Sequence, residues 1–95
     1  MGGVSSSVYE PRLKSARILI HSPSPKVLSG ITRGSFVKVS NGKELFWVSV
    51  TNVNGSKITG NVDNHIHRSR NYGFGSVIRF HTRYVYAVRS NVNTG

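Results

Sequence analysis

The stretch Asp63-Asn64-His65-Ile66-His67-Arg68-Ser69-Arg70-Asn71-Tyr72-Gly73-Phe74-Gly75 gathers most of the chain's chemical potential into one non-repetitive segment. Arg68 and Arg70 offer guanidinium groups for phosphate contact and stacking, and Tyr72 and Phe74 offer ring faces for unpaired bases. Basic and aromatic residues interleaved on a loop suit single-stranded nucleic acid, and long loops in small domains are commonly functional. The competing reading is a solvated loop in which Tyr72 and Phe74 fold back to cap the domain while Gly73 and Gly75 serve the turn. Arg70-Asn71-Tyr72-Gly73-Phe74 echoes the RNP1 motif of RNA-recognition sheets. Asn71 stands where that motif needs glycine and Gly75 where it needs valine, and the two helices of that fold have no support here.

Other chemistry is thinly represented. His65 and His67 fall on one side of an extended segment, with His81, His21 and Asp63 as further potential ligands. A zinc site needs three or four ligands and a supporting shell, and the chain has no cysteine, so no metal is expected. Three carboxylates, Glu10, Glu44 and Asp63, are few for acid–base work, and neither a nucleophile motif nor a phosphate-cradling glycine loop is present. The expectation is a protein that is not an enzyme and carries no cofactor. Trp47 is a possible stacking platform, but a sole tryptophan in a small domain is more often packed. Cover by the N-terminal arm or by Tyr84 and Tyr86 is therefore expected.

The chain has 95 residues and a formal net charge of +10, from 13 Lys and Arg against 3 Asp and Glu. Its length fits one small domain. Residues 1–29 hold all three prolines and seven serines, and Ser22-Pro23-Ser24-Pro25 reads as a linker. The run Ala16-Arg17-Ile18-Leu19-Ile20 suits an added strand or a docking segment.

From Ser35 the period is that of strands. Phe36-Val37-Lys38-Val39 is followed by the turn pair Asn41-Gly42, and Leu45 to Val53 places Phe46, Val48 and Val50 on one face with Trp47, Ser49 and Thr51 on the other. Asn54-Gly55 turns into a third strand carrying Ile58, Gly60 and Val62. Val77-Ile78-Arg79-Phe80 is a fourth strand, His81-Thr82-Arg83 a short turn, and Tyr84 to Val88 a fifth strand. No window shows a helical stripe. The fold class expected is all-β: a small five-stranded SH3-like barrel over residues 30–95, with an extended, basic N-terminal arm over residues 1–29.

Gly34 to Val88 resembles an uncharacterised domain-of-unknown-function family found in bacteria and large DNA viruses. The resemblance is carried by Phe36-Val37-Lys38-Val39, Glu44-Leu45-Phe46-Trp47-Val48-Ser49-Val50, Gly55 to Asn64, and Gly75-Ser76-Val77-Ile78-Arg79-Phe80. It implies a small β-barrel and no established reaction or ligand. The chain departs from the family at Ser76, where an acidic residue is usual, and in its strong positive charge.

Charge and loop together point to an anionic partner. The first expectation is nucleic acid, DNA or RNA, bound mainly through phosphate: Arg68 and Arg70 lead, Tyr72 and Phe74 stack, and Arg79, Arg83 and Lys57 add electrostatic contact. A second expectation starts from Met1-Gly2-Gly3-Val4-Ser5-Ser6, which fits the N-myristoylation pattern at Gly2. Arg12, Lys14 and Arg17 then form a basic arm against anionic lipid, in a structural or adaptor protein of a membrane-containing assembly such as a virion, with the barrel contacting an acidic protein. No secretion signal is evident, so an intracellular location is expected, virion or membrane surface included.

Overall fold

The computed structural model describes residues 8–15, 23–67 and 71–89. Five strands, β1 (Phe36–Ser40), β2 (Leu45–Asn54), β3 (Lys57–Val62), β4 (Val77–His81) and β5 (Ala87–Arg89), form one antiparallel sheet in the order β4-β3-β2-β1-β5. This is the five-stranded all-β architecture expected from the sequence, with a 3-10 turn at Thr82–Tyr84 before the last strand.

Alternation builds the core. Val37 and Val39 from β1, Phe46, Val48 and Val50 from β2, Ile58 and Val62 from β3, and Ile78 and Phe80 from β4 are all buried, and Ile31 and Val85 join them. The two Asn-Gly pairs deliver the turns that return the chain, with Gly42 at φ +91° and Gly55 at φ +63°, where a side chain would be strained. β2 is long enough to pair with both β1 and β3. Its register shifts between Val50 and Asn52, a bulge that bends the strand so that its halves serve different parts of the sheet.

Two local expectations need correction. The fifth strand begins at Ala87 rather than Tyr84, because Thr82–Tyr84 wind into a 3-10 turn that the His81 side chain caps by accepting the Arg83 N–H at 3.0 Å. The proline-rich stretch is not wholly linker. Ser24 caps a one-turn helix, α1 (Pro25–Ser29), by accepting the Val27 N–H at 3.3 Å, and Pro25 supplies the fixed φ that suits a first helical residue. Five residues are too few to show a stripe in the sequence.

The arm is anchored to the sheet at two points, Tyr9 and Lys14. Tyr9 donates its N–H to the Val77 carbonyl (3.0 Å) and accepts the Arg79 N–H (2.9 Å), a parallel bridge on the free edge of β4. Pro11 is buried and Leu13 packs against the core, and Lys14 then donates to the Ser40 carbonyl at the end of β1 (2.8 Å). An edge that would otherwise expose unpaired backbone groups is thereby covered. The Ala16–Ile20 run lies outside the described residues.

Candidate nucleic-acid interface

The loop after β3 is tied down along its described length. Asn64 Oδ1 accepts the Trp47 N–H, and Glu44 Oε2 accepts the His67 N–H at 3.0 Å. Farther on, Gly73 donates to Ser76 Oγ (2.9 Å) and Gly75 to the Val62 carbonyl (2.8 Å). Between these anchors Tyr72 turns inward. Its ring lies 5.8 Å from that of Phe46 in the core and 5.4 Å from that of Tyr9, and its hydroxyl accepts from Asn41 Nδ2 at 3.3 Å. These contacts suit the competing reading, in which Tyr72 caps the domain and joins loop, arm and core. Phe74 does the opposite: it is 62% exposed and stacks on His65 with ring centroids 5.2 Å apart. Arg68 and Arg70 lie outside the described residues, as do Gly2 and Arg17, whereas Arg12 and Lys14 are exposed on the arm.

The remaining expected residues do converge. Lys57 opens β3 directly across from His81 at the end of β4, and Arg79 lies two residues earlier on the same outer face. The 3-10 turn adds Arg83 and Tyr84, and the arm adds Glu10 and Pro11. Together they line an open cleft of about 260 Å³. Lys57 and Arg83 are exposed, and the Arg83 guanidinium lies 5.8 Å from the Tyr84 ring centre. Glu10, the single acid of the cleft, approaches Arg79 Nε at 3.8 Å, too far for a hydrogen bond, and that Nε has no hydrogen-bond partner among the described residues.

His81 sits in the middle of this charge. Desolvation, then the Arg83 and Lys57 cations, hold its pKa below the ordinary 6.5. Because Nδ1 accepts the Arg83 N–H, the neutral ring carries its proton on Nε2, which gives the cleft a further donor. The arrangement offers an oxyanion several donors and little competing negative charge. Among the described residues no group of three His, Cys, Asp or Glu could hold a metal ion.

Trp47 follows the alternation of β2. It is half-buried on the outer face of β2, and its ring faces two cations, Lys38 Nζ at 5.1 Å and the Arg89 guanidinium at 5.8 Å. Among the described residues it lines an open cavity with Phe36, Asp63 and Arg89. Lys38 and Arg89 were not among the expected site residues, although counting back from the Asn41-Gly42 turn sets Lys38 opposite Trp47.

No family model, curated protein or solved structure matches the chain, so its own residues carry the functional argument.

Proposed function

We propose that this protein is a non-catalytic binder of nucleic acid that engages its ligand chiefly through phosphate. The observation that carries this reading is the convergence of Lys57, Arg79, His81 and Arg83 on one open cleft in a chain of net charge +10. Arginine forks match phosphate oxygens bidentately, and lysine adds a mobile point charge. Phe74, exposed on the loop beside His65, adds a ring face on which an unpaired base can stack. Contacts of this kind position a ligand without reading its sequence.

The test is anisotropy of fluorescein-labelled single- and double-stranded DNA and RNA oligonucleotides at about 50 mM salt, where phosphate contacts are strong. The wild type is expected to bind, and the triple substitution Lys57→Ala, Arg79→Ala, Arg83→Ala to bind far more weakly while keeping its fold. Absence of any shift with all four nucleic acids overturns the proposal.

A further inference from the structure

We infer that the cavity at Trp47 is a stacking subsite for one unpaired nucleobase of a single-stranded nucleic acid, with Lys38 and Arg89 as its phosphate contacts and Asp63 reading the base edge. This rests on the nucleic-acid reading above and adds to it a second station, a strandedness and a base class.

The register builds the subsite. Trp47 pairs with Lys38 across β1, Phe36 pairs with Arg89 across β5, and the Asp63 N–H donates to the Trp47 carbonyl at 2.9 Å. The side chains of Trp47, Phe36, Asp63 and Arg89 therefore belong to the outer face of the sheet and meet around one open space of about 230 Å³, with Lys38 against the indole. That space accommodates a single planar ring system against the indole.

Charge decides the class of occupant. Two cations stand near the indole against the single carboxylate of Asp63, so a cationic ligand meets net repulsion and a phosphate-linked base net attraction. An exposed cation–π contact is weak beside base–aromatic stacking. A base entering the cavity takes the ring face, and the long Lys38 and Arg89 side chains swing to the flanking phosphates. A base inside a duplex has no free face to offer, which restricts the subsite to unpaired strands.

Asp63 is the acid of this cavity and, when ionised, only accepts hydrogen bonds. Guanine presents two adjacent donors on its Watson–Crick edge, thymine and uracil one. A carboxylate beside the stacking ring therefore favours guanine. The subsite and the cleft lie at opposite ends of β3, Lys57 at its start and Asp63 just past its end. At the rise of an extended strand they are about 20 Å apart, a span that several nucleotides of one strand can cover.

Trp47 is the sole tryptophan, so its emission reports this cavity alone. The experiment titrates the full chain with a fluorescein-labelled eight-nucleotide thymidine oligomer, and with the same oligomer carrying one central guanosine. Anisotropy of the label and, with unlabelled oligomer, emission of Trp47 are both recorded. Binding is expected to quench Trp47, and Trp47→Leu to weaken the oligomer about tenfold. Trp47→Phe, which keeps an aromatic face, retains most of the affinity and guards against a folding artefact. The guanosine oligomer is expected to bind more tightly than thymidine alone, and Asp63→Asn to abolish that preference.

Anisotropy that rises while Trp47 emission stays constant, with Trp47→Leu binding as wild type, overturns the subsite and leaves the phosphate cleft standing. Equal affinity for the two oligomers overturns the role of Asp63. No change in either signal overturns the single-strand subsite, and the nucleic-acid reading falls with it only if duplex DNA and both forms of RNA also give no anisotropy change.

Discussion

Gly60 and Ser49 approach so closely across β3 and β2 that a methyl group on Gly60 would overlap the Ser49 carbonyl oxygen and come within 2.7 Å of Val48 Cγ1. The position has ordinary strand backbone and directly faces Val50, just before the register of β2 shifts. Glycine is required here by proximity rather than by dihedral angle. Gly60→Ala must push two backbones apart within the core, and overpacking of this kind costs about 1–3 kcal/mol. The expected result is a drop in melting temperature of roughly 4–8 °C per kcal/mol for a domain of this size. An unchanged melting temperature would show that β2 and β3 do not pack this closely.

The Tyr9 bridge makes a separate prediction. The Arg79 N–H points away from β3 and is protected by the Tyr9 carbonyl. In hydrogen exchange the Arg79 amide should be protected, although it lies on the free edge of β4. Tyr9→Pro removes the N–H that donates to Val77, and should accelerate exchange at Arg79 by about tenfold or more while β2 amides are little affected. Fast exchange at Arg79 in the wild-type protein would mean that the arm does not dock.

Local signals explain what the sequence reveals here. The alternation of Phe46, Val48 and Val50 fixes a buried face because side chains repeat every two residues, and the Asn-Gly pairs mark turns because glycine accepts a positive φ. The fifth strand is misjudged at Tyr84 because its composition suits a strand, while the His81 cap that winds the turn depends on a side-chain hydrogen bond. The Tyr9–Ile78 bridge joins residues far apart in the chain and leaves no periodic trace. The site follows the same division. Lys57 and Arg79 are visible as charges, but their meeting depends on how β3 and β4 pair across the intervening loop. Tyr72 shows the converse, since an aromatic residue on a polar loop looks identical whether it caps the core or faces solvent.

His81 gives the fold a defined response to acid. Its folded pKa lies below the ordinary 6.5, so in the window between the two values the unfolded chain binds more protons than the folded one. Its contribution to stability is complete above pH 6.5 and is lost as pH falls through the lowered folded value. His81→Asn retains an acceptor for the Arg83 N–H without a titrating ring, and should flatten the acid side of a melting-temperature profile between pH 7.5 and 5. An NMR titration of the His81 ring should show a midpoint below 6.5, rising when an oligonucleotide brings phosphate into the cleft. A midpoint at or above 6.5 in the free protein would contradict the desolvated, cation-flanked placement.

Salt dependence counts the phosphates that the cleft engages. Each phosphate neutralised on a single strand contributes about −0.7 to the slope of log K against log salt. Arg83→Gln removes one exposed cation from the turn and Lys57→Gln one from the start of β3. Each should make the slope shallower by about 0.7, and the double substitution by about 1.4. Lys43→Gln supplies the control, because Lys43 is equally exposed but sits on the turn between β1 and β2, outside both cavities. If Lys43→Gln changed the slope as much as Arg83→Gln, binding would follow overall charge rather than the cleft, and the convergence of Lys57, Arg79 and Arg83 would have no special role.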